Sequence, residues 1–216
     1  MSGSLLAVCV VHATLPDPGG SVGVTAIDKR PASGPVELST LGLVGDRQED
    51  LQHHGGPHQA AYAYAAEDHD WWASHLGADI APGQFGENLV TRGIDVTGAV
   101  IGQTWQVGRA VVQVTSPRIP CATFQRWMAQ PHWVRRFTEA GRPGAYLRVL
   151  SEGVVATGDD VRVLSTPEHG VTVGQVFSGR AGDAASREAL ARLLAEGVDL
   201  DPKLVGWVER ELAVGG

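Results

Sequence analysis

Short runs in which apolar and polar residues alternate, broken by glycine and proline, fill the first three quarters of the chain. A period of two sends successive side chains to opposite faces, so these runs predict half-buried strands. They are Leu5–Ala13, Val22–Asp28, Val36–Leu38, Ala99–Ile101, Thr104–Val107, Ala110–Thr115, Ala145–Leu150 and Asp160–Leu164. Gly108-Arg109, between two of these runs, reads as a hairpin turn. Many short strands with such punctuation predict a mainly β barrel or sandwich. Helical spacing interrupts the pattern over Glu67–Leu76, stopped by Gly77, and over Pro131–Ala140, stopped by Gly141. Phe124, Trp127 and Met128 form an amphipathic stretch after Cys121.

Past Pro167 the period becomes helical. Thr172 can cap a helix to Phe177, and Asp183 can cap Ala184–Glu196, with Leu190, Leu193 and Leu194 on one side. Asp201-Pro202 supplies a cap and a first-turn proline for Lys203–Leu212. Three helices this short bury little by themselves and must pack on the strands. The pattern divides the chain into a β domain over residues 1–166 and a three-helix module over 167–216.

The net charge of −7 and the lack of a basic run argue against nucleic acid or an anionic membrane as partner. Of 17 basic residues, only Lys29 and Lys203 are lysine, a skew that reads as genome composition. Two cysteines, Cys9 and Cys121, cannot form a secreted-type disulfide framework or ligate an iron–sulfur cluster. The first residues lack a positive leader, and no run is long enough to span a bilayer, so the expected location is the cytoplasm.

Three motifs could carry chemistry. In Ser116-Pro117-Arg118-Ile119-Pro120-Cys121 a strand exits through two prolines onto a thiol. The prolines stiffen the exit, and Arg118 is placed to favour the thiolate, the form that attacks or binds soft metals. Cys121 could equally be a small buried hydrophobe, which is the reading for Cys9 inside its strand. The second motif is Gly42–Arg47, Asp50 and then His53-His54-Gly55-Gly56-Pro57-His58. Paired histidines invite zinc, but neighbours in a strand point apart and no HExxH is present. Gly55-Gly56 permits close approach to a ligand or only a turn. In Gln84-Phe85-Gly86-Glu87-Asn88-Leu89, Glu87 and Asn88 either line a polar pocket or are turn residues. Asp28-Lys29-Arg30-Pro31 ends a strand with two cations, an anion contact or an exposed pair. Rossmann, P-loop and serine-elbow motifs are absent.

These runs, in this order, resemble a MOSC domain, named for the C-terminal domain of molybdenum cofactor sulfurase, and within it the YiiM-like subgroup. The matching runs are Ile27–Leu38, Gly42–Asp46, His54–Pro57, Phe85–Leu89 and Ser116–Cys121, with a helical tail like the module that follows MOSC in that subgroup. The resemblance implies a MOSC-type β-barrel with interspersed helices and a cleft for a molybdenum–pterin cofactor. At family level it also brings an association with pyridoxal phosphate binding. It makes Cys121 the molybdenum ligand and places His54 and Glu87 on the cleft as acids. Arg30, Arg47 and Arg118 become candidates for the cofactor phosphate, with Asn88, Gly55 and Gly56 beside it and Asp46 as a brace. The implied activity is reduction of N-hydroxylated bases such as 6-hydroxylaminopurine, with electrons from an external donor protein. Arg142–Tyr146 lacks the Trp expected beside Tyr146. Two other readings stand: a carrier of cofactor or of a Cys121 persulfide, and a zinc protein using His53 or His54, His58 and Cys121.

Overall fold

The computed structural model describes residues 2–50, 55–180, 183–195, 197 and 200–214. Seven strands close a barrel: β1 (Ser2–Asp17), β5 (Ala61–Ala65), β6 (Leu89–Arg92), β7 (Thr104–Val107), β8 (Ala110–Pro117), β9 (Ala145–Ser151) and β11 (Asp160–Ser165). The order around it is β11-β7-β8-β9-β5-β6-β1, and β1 returns to β11 through Ser2–Arg162 and Ser4–Asp160. All pairs are antiparallel except β5 with β6. Closure leaves no open edge on the barrel itself.

β1 is long because it serves two sheets. Ser2–Val8 pairs within the barrel, while Cys9–Asp17 continues beyond it and pairs with β2 (Gly23–Pro31). Register shifts between Val11 and Leu15 mark where the ribbon bends. A small second sheet joins β3 (Val36–Ser39), β4 (Gly42–Leu43) and β10 (Gly153–Val155).

The interior is aliphatic. Val112 and Val114 of β8, Leu147 of β9, and Trp105 and Val107 of β7 alternate inward as the sequence pattern requires. The same core continues into the tail through Val173 and Val176 of α4 (Val173–Arg180), Leu190 and Leu193 of α5 (Ala184–Ala195), and Leu204 of α6 (Pro202–Val214). The caps read from sequence are present: Thr172 Oγ1 accepts from Gln175 N, Asp183 from Ser186 N, and Asp201 from Lys203 N.

A second, aromatic core lies outside the barrel under α1 (Ala66–Leu76), α2 (Ala122–Met128) and α3 (Trp133–Ala140). Trp72 and Trp133 approach to 4.6 Å between ring centres, and Phe85 and Phe124 to 5.6 Å edge-on. Such pairs add about 0.5–1.5 kcal/mol each beyond burial. Three sequence expectations need correcting. The Ala99–Ile101 run is not a strand; only Val100 makes a single bridge, to Thr172. β5 and β6 were not predicted, because Ala61–Ala65 alternates alanine with tyrosine, is buried throughout, and so lacks a polar face. Pro131 stands before α3 rather than in its first turn, because His132 at φ 54° is left-handed and starts the helix afresh. Among the described residues no helix is long and apolar enough to cross a membrane.

Candidate active site

A cleft opens where the β1–β2 ribbon, the β5 end of the barrel and the exit of β8 converge. Counted with its open mouth it encloses about 830 Å³. Cys121 lies on its wall as a free, half-buried thiol. It stands in extended backbone (φ −124°, ψ 170°), directly after the two prolines and at the start of α2. The strand, its proline exit and the helix thus fix the thiol on three sides. Cys9 has the opposite setting: fully buried in β1, with burial first and then Glu87 pushing its thiol up to about 12.

The cationic wall comes from Arg118 and Lys29. Arg118 is 5% exposed. It donates to Phe85 O at 3.1 Å and lies 3.7 Å over the Phe124 ring and 5.5 Å from that of Tyr62. Its Nε has no hydrogen-bond partner, and among the described residues no carboxylate pairs with it. Burial opposes its charge, but Tyr62, Tyr146 and Cys121 favour it and hold its pKa above the usual value. Tyr62 and Tyr146 are themselves pushed up by burial, so their hydroxyls stay protonated.

Lys29, not Arg30, is the strand cation that faces inward. Alternation along β2 buries Lys29 and turns Arg30 out to pair with Asp28 at 3.1 Å, which corrects the placement of Arg30. Lys29 Nζ donates to Asp46 Oδ2 at 2.5 Å. Asp46 also accepts from Val11 N at 2.9 Å and Asn88 Nδ2 at 2.8 Å. Asn88 in turn receives Tyr62 N at 3.1 Å and donates to Cys9 O at 3.1 Å. Asp46 and Asn88 therefore knit β1, β2 and β5 into one floor, and Asn88 borders the cleft. Arg47 borders it from an exposed position, bonded to Thr14 and paired with Glu49 at 3.0 Å.

Gly55 lines the cleft at φ 76°, while Gly56 stands one step away at the start of a short 3-10 turn, Pro57–Gln59. His53 and His54 lie outside the described residues. Glu87 is brought near the site without facing it, which corrects its expected position on the cleft. Its carboxylate is fully buried and accepts from Gly83 N at 2.6 Å and Phe85 N at 2.9 Å, with His69 Nε2 at 3.2 Å. Burial alone would raise its pKa, but His69 and the backbone N–H groups outweigh that and hold it below the usual range. The loop fits only because Gly83 has no side chain: at φ 88°, a Cβ there would lie 2.3 Å from Lys29 O.

Sequence reasoning missed Gln59, Tyr62 and Asp17. Gln59 and Tyr62 border the cleft. Asp17 anchors α2 by accepting Arg126 Nε at 2.6 Å and Thr123 Oγ1 at 2.8 Å. Only the position of Gln59, just after the Gly-Gly-Pro run, hinted at such a role. No group of three His, Cys, Asp or Glu side chains suited to a metal ion gathers among the described residues.

A closed β-barrel carrying a thiol at a proline-stiffened strand exit, beside buried cations, defines a recognisable class of protein. The MOSC domain model matches residues 50–162. The chain is 37% identical to the uncharacterized protein YflK of Bacillus subtilis, over 80% of this chain and 78% of that one. It is 30% identical to protein YiiM of Escherichia coli, over 65% and 64% of the two chains. A protein of Gibberella moniliformis named reductase is 31% identical over 69% of this chain, which spans 27% of that longer protein. Among solved structures, YiiM from Geobacillus stearothermophilus superposes with a TM-score of 0.77 over 97% of this chain and 99% of that one, at 22% identity. E. coli YiiM gives 0.77 over 100% and 94%, also at 22% identity. The chain belongs to the MOSC domain family.

Proposed function

We propose that this chain binds a molybdenum–pterin cofactor in the cleft, with Cys121 as metal ligand, and reduces N-hydroxylated compounds. The balanced reaction is R–NHOH + 2 e⁻ + 2 H⁺ → R–NH₂ + H₂O. The observation that carries this reading is Arg118: a buried guanidinium, with an orphaned Nε and no carboxylate partner among the described residues, on the wall that also holds Cys121. A buried charge needs a counter-charge, and a planar guanidinium suits a phosphate or other anionic group. Thiolate suits a soft, redox-active metal. The residues present therefore fit an anionic, sulfur-bearing metal cofactor, with Cys121 toward the metal and Arg118, Lys29 and Arg47 toward its anionic part.

The bound cofactor supplies the two-electron couple. The chain's own residues do the rest. The floor built on Asp46 and Asn88 fixes Lys29 and keeps its charge in the wall. Tyr146 keeps its proton and can donate a hydrogen bond into the cleft. The acid role falls to His54, since Glu87 is ionised at neutral pH and has no face on the cavity. Two cysteines cannot ligate an iron–sulfur cluster within these residues, and in this reading the electrons come from an external donor protein. One relative, of which this chain spans 27%, is named reductase, which supports the reading.

The test is metal and pterin analysis of wild type and Cys121→Ala from a cofactor-producing host, with turnover of 6-hydroxylaminopurine under an artificial reductant. Wild type should hold about one molybdenum per chain and Cys121→Ala almost none, with turnover lost. Stoichiometric zinc in place of molybdenum, or unchanged turnover in Cys121→Ala, would overturn the reading.

A further inference from the structure

Cys121 has a second open side. A larger space, about 1400 Å³ with its mouth, lies between the Pro117–Cys121 segment, α2 and the helical tail at Asp201, Lys203 and Leu204. Cys121, Tyr146 and Gln59 border both this chamber and the cationic cleft. A group held in the cleft therefore meets anything in the outer chamber at the thiol.

Gln59 is 8% exposed, and one of its amide atoms lies 3.1 Å from Asp201 Oδ2. That same oxygen accepts Ser116 Oγ at 3.3 Å, while Asp201 Oδ1 accepts Lys203 N at 2.9 Å. A carboxylate only accepts hydrogen bonds, so Asp201 must receive the NH₂ of Gln59. The amide is thereby locked in one sense. Its Oε1 is left buried and without a partner among the described residues. A buried acceptor without a donor is costly, and a ligand that brings the donor recovers that cost.

We propose that the outer chamber is the substrate compartment and that Gln59, oriented by Asp201 of the tail, accepts a hydrogen bond from the exocyclic N–H or N–OH of a planar nitrogenous base. The choice of substrate class rests on the reductase reading; the donor selectivity does not. Gln59 is then a specificity residue and Asp201 a positioning residue acting through it. The helical tail becomes part of the binding site, although its own residues sit some 140 positions from Gln59.

Two unreactive probes separate the ideas. 9-Methyladenine carries the exocyclic N–H, and 6-methoxy-9-methylpurine has the same shape without it. Calorimetric titration of the full chain as isolated should favour the first probe by about tenfold or more, because a site built for a donor rejects its isostere. Gln59→Leu should bring the two affinities together. Asp201→Asn keeps the α6 cap but offers either amide sense, so it should shrink the preference with an unchanged melting temperature. A wild type that binds both probes equally, or a preference that survives in both variants, would overturn the proposal. Molybdenum content and turnover in the same preparations report separately on the reductase reading.

Discussion

The two motif loops beside the cleft use their polar residues in opposite ways. In Ser116–Cys121 the charged residue and the thiol face the cavity, and the guanidinium is left short of partners. In Gln84–Leu89 the carboxylate turns away from the cavity, accepts two backbone N–H groups and lies 3.2 Å from His69 Nε2. Both runs looked alike in sequence, each with polar residues among apolar neighbours. A polar group whose partners the fold already supplies is spent on structure, whereas one lacking a counter-charge is available to a ligand.

That contrast can be broken most sharply at Glu87. Glu87→Ala strands two buried backbone donors and removes the carboxylate facing His69, and should cost about 3 kcal/mol or more, a fall of about 6–12 °C in Tm for a chain of this size. The same carboxylate should make stability depend on acid. Its folded pKa lies below the usual 4.5, so the unfolded chain takes up the proton first as pH falls. Its contribution is complete above the usual value and is lost as pH drops through the lower folded value. A wild-type denaturation series through that range should lose stability more steeply than Glu87→Gln.

Arg118→Met should behave in the reverse manner. Replacing a buried, unpaired cation by an apolar side chain should leave cofactor-free stability within about 1 kcal/mol. Cofactor content should nevertheless fall by about tenfold or more, which corresponds to about 1.4 kcal/mol. If Arg118→Met instead melted the protein as Glu87→Ala does, the distinction between the loops would collapse. The smallest effect is expected from thiol labelling. In the cofactor-free chain, iodoacetamide should modify Cys121 at neutral pH and spare Cys9, whose thiol is buried and pushed up to about 12. Mass mapping of the labelled peptides would read the difference.

Much of this was legible along the chain. The hairpin at Gly108-Arg109, the proline exit to Cys121 and the helix caps at Asp183 and Asp201 depend on near neighbours, and all formed where the pattern placed them. What stayed hidden depends on distant partners. Nothing local distinguishes Lys29 from Arg30 until β2 pairs with β1 and one of them turns inward. Glu87 could not be separated from a cleft acid without knowing that His69 and Gly83 face it. Asp201 was readable as a cap, but its grip on Gln59 spans most of the fold.

The long first strand has a kinetic consequence. Its leading residues zip to β11 near the far end of the β domain, while its trailing residues build the floor under the thiol. Local hairpins such as β7–β8 can form early, but the ring closes only when Ser2 finds Arg162. Because so remote a pairing is slow to nucleate, competence to capture a ligand should be among the last properties the nascent molecule acquires.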